Sequence, residues 1–154
     1  SHGARLKDLA YFSHAQEFEG VGPGQFEEFL FNYQLPIMEL FGKIPYGCCD
    51  TLDSKVDLIR KIPNLAKVVS GPLSDPARYP EPFGDDCVIS WRPIASIVSS
   101  EHFDEDQQRR QLREGFDKLK GCNVEVHMHE PMSVQGDVAR IARWAEIAKE
   151  EAGR

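Results

Sequence analysis

The sequence predicts an α/β fold in which about five parallel strands alternate with helices. Apolar segments of strand length and of helix length take turns along the chain, and no hairpin turn is evident between them. Successive strands begin roughly 20 to 36 residues apart, the usual size of a βαβ unit. The 154 residues, 41% of them apolar and 28% charged, fit one folded domain over 1–154. Residues 1–3 are set aside as a possible tag remnant.

Each expected helix has start or stop signals. Pro23 suits the first turn of the first helix, and Pro36 is expected to kink or break it. Asp104 is a predicted N-cap, and Gly121 is expected to stop the helix that follows it. The helices are expected over 22–42, 53–62, 104–121 and 137–151. The strands are expected over 11–15, 43–50, 66–71, 87–91 and 123–130.

Charge and cysteine content exclude several classes of protein. The net charge is −7 without a long basic run, which argues against nucleic-acid binding and against a polybasic membrane anchor. No apolar run approaches the roughly 20 residues of a membrane helix. The four cysteines form no CxxC motif, so a zinc knuckle is not expected, and a core of this size needs no disulfides. We therefore expect a reducing, cytoplasmic location.

The fifth expected strand has two contrasting faces. Side chains alternate along a strand, so Glu125, His127 and His129 share the face opposite Val124 and Val126. The inward face of a TIM-like (β/α) barrel accepts such a polar row more easily than an open sheet covered by helices on both sides. A complete barrel needs roughly 250 residues. The chain is therefore predicted to be part of a barrel that pairs with another chain, keeps an open edge or is a fragment, and a homodimer is expected.

Four short segments give the sequence a family resemblance. Together they resemble the uroporphyrinogen decarboxylase-like superfamily, in its methyltransferase-like and uncharacterised branch. The resemblance covers most of residues 11–151 and matches the C-terminal half of the family's barrel. The segments are Tyr46–Asp50, Ile59–Leu65, Gly121–Glu125 and Trp144–Ala148.

The resemblance implies zinc-dependent methyl transfer between a corrinoid protein and a thiol or another acceptor. The zinc motif of such methyltransferases is His-x-Cys after one strand and a cysteine after the last. Cys48 matches the first cysteine, Tyr46 stands at the histidine position, and His127 or His129 lies near the second cysteine position. The decarboxylase members need no cofactor. Their catalytic aspartate and arginines come from the N-terminal part of the barrel, which has no counterpart here, so the resemblance does not predict the decarboxylase activity for this chain alone.

Six residues are the candidate site. Cys48, His127 and His129 are the expected metal ligands, since thiolate and imidazole are the usual zinc ligands. Only one of Cys48 and Cys49 is expected to point into the barrel, because neighbours on a strand alternate. Buried structural cysteines and hydrogen-bonded histidines are the alternatives. The expected catalytic residues are Glu17, Arg92 and Glu125.

The catalytic candidates have different expected roles. Glu17 is a fourth ligand or a general base, with an ordinary loop carboxylate as the alternative. Arg92 is placed to bind an anionic substrate through two hydrogen bonds. Glu125 either orients a metal-bound imidazole or forms an ion pair with Arg92.

Three functions remain open at this point. The first is zinc-assisted methyl transfer, with a corrinoid protein as a partner. The second is a cofactor-free, decarboxylase-like reaction on a carboxylated small molecule. The third is a half-barrel without catalytic activity that binds a partner or assembles with itself. A shared fold alone does not choose between them.

Overall fold

The computed structural model describes residues 3–154, so Ser1 and His2 of the possible tag remnant lie outside the described residues. Its sheet has four parallel strands that lie in the same order in space as along the chain. The predicted α/β class and parallel sheet are confirmed, and the architecture is compatible with part of a (β/α) barrel. The strands are β1 (Ile44–Tyr46), β2 (Leu65–Ser70), β3 (Val88–Trp91) and β4 (Asn123–Val126).

The expected count of five strands is wrong, because the expected first strand at 11–15 is not a strand. Its region forms only two isolated parallel bridges, from Ala10 to Lys43 and from Ser13 to Tyr46. The N–H of Ser13 donates to the carbonyl of Pro45 at 3.0 Å. In a continuous parallel ladder, the N–H of residue 45 would donate to the carbonyl of Tyr11. Proline has no N–H, so the ladder is interrupted there.

Seven α-helices accompany this sheet in the described chain. The first two are joined by a π-helical segment, Glu27–Phe31, so that one continuous helical stretch passes through Pro36 and ends at Met38. No helix within residues 3–154 is long and apolar enough to cross a membrane. The helices are α1 (Pro23–Phe26), α2 (Asn32–Met38), α3 (Val56–Ile59), α4 (Pro80–Phe83), α5 (Ser96–Ser99), α6 (Glu105–Lys118) and α7 (Ala139–Ala152).

The two long helices begin close to the predicted positions. Asp104 caps α6, since its Oδ1 accepts the N–H of Gln107 at 2.9 Å. The helix ends at Lys118, three residues before Gly121, whose φ of +90° suits a glycine. The last helix, α7, begins two residues after the expected start.

The hydrophobic core lies on one face of the sheet. Val68, Ile89 and Trp91 point into it, and the ring of Trp91 meets Phe116 of α6 edge-on with a centroid distance of 5.4 Å. Right-handed crossovers between neighbouring parallel strands place the helices on that same face. The opposite face carries Lys67, Ser90 and Glu125 together with the buried Val69. The candidate site lies at the carboxyl edge of the sheet.

The close contact between α6 and the sheet yields the first prediction. A β-carbon on Gly115 would overlap the six-membered ring of Trp91. Overpacking of this kind costs about 1–3 kcal/mol, which exceeds the gain of up to about 1 kcal/mol from replacing a helical glycine. We expect Gly115→Ala to lower the free energy of unfolding in urea.

Gly24 provides the matched control, because it also lies in a helix but has open space at the β-carbon position. We expect Gly24→Ala to leave the free energy of unfolding unchanged or to raise it slightly. An equal response of the two variants would contradict the tight packing of Gly115 against Trp91.

Candidate functional site

The carboxyl ends of β1, β3 and β4 bring the candidate residues to one edge of the sheet. The N–H of His127 donates to the carbonyl of Trp91 at 2.9 Å, and His129 forms an isolated bridge with Ile94. The predicted strand over 123–130 is therefore too long, since β4 ends at Val126. In a parallel ladder the next donor to the carbonyl of His127 would be the N–H of residue 93. That residue is Pro93, which has none.

Arg92 connects the ends of two strands. Its backbone N–H donates to the carbonyl of Ser70 at 2.9 Å, and its Nη1 donates to the carbonyl of Cys48 at 3.0 Å. Its Nε is buried and has no hydrogen-bond partner among the described residues. An unpaired buried donor on a charged group is costly, and such groups in native proteins usually meet water or a ligand.

The two histidines differ in their surroundings. His127 is exposed, whereas the His129 side chain is only 13% exposed, and its Nε2 lies 3.7 Å from Oε2 of Glu130. Burial lowers the pKa of His129, and the neighbouring charges of Arg92 and His127 lower it further against the opposing effect of Glu130. The imidazole of His129 is therefore mainly neutral at neutral pH, the form that exchanges a proton or binds a metal.

Both cysteines after β1 point to the same place, which corrects the expectation that only one of them would. The strand ends at Tyr46, and Gly47 turns the chain with a φ of +102°. Strand alternation therefore no longer applies to Cys48 and Cys49, whose Sγ atoms lie 3.8 Å apart. Burial and the neighbouring Cys48 raise the pKa of the Cys49 thiol.

The ion-pair partner of Glu125 is Lys67, which corrects the expected pairing with Arg92. Nζ of Lys67 lies 2.7 Å from each carboxylate oxygen, and Oγ of Ser90 donates to Oε1 at 2.8 Å. Ser90 is the register partner of Glu125 in the sheet. Burial acts to raise the pKa of Glu125, but the hydrogen bonds from Lys67 and Ser90 outweigh it and the pKa is lowered. Glu125 is thus ionised, and its charge is balanced by Lys67. No hydrogen bond to an imidazole supports the alternative role of orienting a metal-bound histidine.

Glu17 lies apart from these residues. It is exposed on the short 3₁₀ turn Gln16–Phe18. Within residues 3–154 its carboxylate has no hydrogen bond or ion pair to the cysteines, to Arg92 or to the histidines. The structure therefore brings Cys48, Arg92 and His129 to one edge, and it leaves Glu17 and Glu125 outside that group.

The predicted zinc ligands do not form a ready-made site. No group of three or more histidine, cysteine, aspartate or glutamate side chains in the described part of the chain is arranged to hold a metal ion. The set of Cys48, His127 and His129 thus does not fit a zinc ion as these side chains stand. Zinc binding stays a prediction.

The sequence pattern did not reveal two buried residues of charged type near the cysteines, Lys55 and Asp50. Lys55 is 1% exposed, and its Nζ donates to the carbonyl of Phe18 at 2.7 Å and lies 5.1 Å from the ring centroid of Phe26. Burial lowers the pKa of Lys55, against the opposing charges of Asp50 and Glu19. Asp50 is also 1% exposed, and its Oδ1 accepts the N–H of Cys48 at 3.1 Å. These contacts fix the loop that presents the thiols.

Comparison of the chain with models of known protein families, with curated proteins and with solved structures gives no match. The resemblance to the uroporphyrinogen decarboxylase-like superfamily therefore stays a prediction from the quoted segments.

The pairing of Glu125 predicts a pH dependence of stability. A carboxyl with a lowered folded pKa stabilises the fold above its unfolded pKa, about 4.3, and this contribution is lost as the pH falls through the folded pKa. We expect Glu125→Gln to be destabilised relative to the wild type near pH 7, by no more than about 1 kcal/mol because the pair is partly exposed. The difference in free energy of unfolding, measured in urea, should shrink towards pH 3.

Glu28→Gln is the control, since Glu28 is exposed and has no ion pair within residues 3–154. Its difference from the wild type should show little change over the same pH range. If the Glu125→Gln difference stayed constant with pH, the ionised pairing with Lys67 would be contradicted.

Proposed function

We propose that the chain is the C-terminal part of a (β/α) barrel of the uroporphyrinogen decarboxylase-like kind, and that it binds a carboxylated small molecule at the carboxyl edge of its sheet. The observation that supports this most directly is the state of Arg92. One guanidinium nitrogen is fixed on the carbonyl of Cys48, and the buried Nε has no partner among the described residues.

The position of Arg92 favours a ligand at this edge. Ligands of open parallel sheets and of (β/α) barrels bind at the carboxyl ends of the strands, where the loops meet. Arg92 follows β3 directly, and its backbone is held by Ser70 at the end of β2. A guanidinium already fixed by one hydrogen bond loses less conformational entropy when a carboxylate binds to its remaining donors.

The charges nearby also favour an anion. Arg92 and His129 lie close enough for the arginine to lower the pKa of the imidazole. The chain as a whole carries a net charge of −7, so this positive region is local. A local positive charge at a strand end selects anionic ligands over neutral ones.

The reaction best suited to these groups is a decarboxylation without a cofactor. Arg92 would hold a carboxylate of the substrate. When the bond to the departing carboxylate breaks, its electron pair stays on the substrate carbon, carbon dioxide leaves, and the carbon takes up a proton. His129 lies beside Arg92, and its protonated form, which is the minor form at neutral pH, would deliver that proton and then regain one from water.

Anion binding is measured by isothermal titration calorimetry with citrate as a polycarboxylate probe. A hydrogen bond to a charged group contributes about 1.5–3 kcal/mol, so we expect Arg92→Gln to weaken the citrate Kd by about 10- to 100-fold. Arg92→Lys keeps the charge but loses the planar guanidinium, so its citrate Kd should lie between those of the wild type and of Arg92→Gln.

Arg78→Gln is the matched control, because it removes one positive charge from an exposed arginine in the turn Pro76–Arg78. Its citrate affinity should stay close to that of the wild type. Equal weakening by the Arg78 and Arg92 substitutions would show only a general effect of charge and would remove the proposed site.

Zinc-assisted methyl transfer with a corrinoid protein as partner is the second candidate. The observation in its favour is the pair of thiols, Cys48 and Cys49, at the same edge of the sheet. A zinc ion would supply Lewis-acid activation of a thiol or a methyl donor. No step of that reaction follows from the present arrangement of His127 and His129.

Metal content tests this second candidate. If it holds, inductively coupled plasma mass spectrometry on untagged protein, purified without added metal or chelator, should find close to one zinc ion per chain. Cys48→Ser and His129→Ala should each lower that content, and Cys122→Ser should not. Absence of zinc from the purified protein, with none taken up on titration, would remove the candidate.

The third function, a non-catalytic assembly module, and the expected homodimer stay predictions. Two features support a second copy as the partner. On the sheet face opposite the core, Lys67 and Glu125 are partly exposed, although the strands of parallel sheets are usually buried on both faces. In addition, α1, α2 and the π segment between them expose a stripe of large apolar side chains, including Phe29, Tyr33 and Ile37.

A further inference from the structure

The loop after β1 holds two thiols in a fixed arrangement. The Sγ atoms of Cys48 and Cys49 lie 3.8 Å apart, and both side chains are partly exposed. Both peptide groups around Cys48 are bound: its N–H donates to Oδ1 of Asp50 at 3.1 Å, and its carbonyl accepts from Nη1 of Arg92 at 3.0 Å. The loop is therefore held at the residue that presents the first thiol.

We infer that Cys48 and Cys49 form a chelating dithiol that binds one thiophilic metal or metalloid ion, in place of the expected set of Cys48, His127 and His129. Two sulfur ligands that each lie ~2.3 Å from a tetrahedral zinc ion are about 3.8 Å apart. The two sulfur atoms already have that separation. An ion can thus bridge them with little movement of the loop.

The donor atoms decide the class of ligand. Thiolate sulfur is a soft donor and selects soft ions such as cadmium or trivalent arsenic over hard ions such as magnesium. Thiolate is the form that binds a metal ion, so ion binding at this pair is coupled to loss of thiol protons and weakens at low pH.

The other two cysteines offer an internal comparison. Cys87 is buried, and burial together with neighbouring charge raises its pKa to about 11. Cys122 is partly buried and has a raised pKa, again because of burial. The Cys87 thiol is therefore less available to a reagent than the pair at the carboxyl edge.

The test uses phenylarsine oxide on the folded full chain, with no substrate present. Two arsenic–sulfur bonds form, the arsenic–oxygen bond breaks, and the oxygen leaves as water with both thiol protons. Intact mass spectrometry should find one adduct per chain, with the mass of the reagent less one water, and excess 2,3-dimercaptopropanol should remove it. Cys48→Ser and Cys49→Ser should each lose the adduct, and Cys122→Ser should keep it.

Cadmium titration provides a second readout, through the ultraviolet charge-transfer absorption of thiolate-bound cadmium. One cadmium ion per wild-type chain is expected, with the absorption lost in Cys48→Ser and Cys49→Ser while circular dichroism shows both variants folded. An adduct retained by either variant, lost in Cys122→Ser, or absent from the wild type would overturn the inference. Citrate binding is measured separately, so failure of the anion site and failure of the dithiol are distinguishable.

Discussion

The in-register pairing of β2, β3 and β4 determines where the polar groups of the candidate site lie. Ser70, Trp91 and Val126 stand at one level across the three strands. The residues that follow them therefore emerge together at the carboxyl edge, and Arg92 and His127 are two of these. One residue earlier in each strand, the same register places Ser90 beside Glu125 on the sheet face opposite the core.

Prolines interrupt this hydrogen-bonded network at two places. Pro45 cannot return a hydrogen bond to the chain beside β1, and Pro93 cannot donate to the carbonyl of His127. Pairing resumes after each interruption, since the N–H of Gly47 donates to the carbonyl of Ser13 at 2.9 Å and His129 forms an isolated bridge with Ile94. The turn at Gly47, with a φ of +102°, then brings the thiols of Cys48 and Cys49 together. Beyond β4, His127 is exposed while His129 is largely buried.

Local pattern predicted the parallel α/β class, the N-cap Asp104 and the carboxyl-edge position of Arg92, because each depends on neighbouring residues or on general topology. The strand count and the partner of Glu125 required knowledge that a single sequence pattern does not contain. Lys67 is 58 residues from Glu125 along the chain, so only the register of three strands brings them together. Lys55 was missed for a different reason, since lysine is almost always exposed and its burial depends on carbonyl groups from another loop.

The placement of charges explains why the proposed anion site lies at the carboxyl edge and not on the sheet face that bears Lys67 and Glu125. Lys67 and Glu125 neutralise each other within 2.7 Å, so the face they share offers little net field. Arg92 instead donates to a neutral carbonyl, which leaves its positive charge uncompensated by that bond. Glu130 lies beside His129, and its negative charge also raises the pKa of Cys49. It therefore limits the positive region around Arg92 on one side. The proposed anion site therefore depends on Arg92 and not on the Lys67–Glu125 pair.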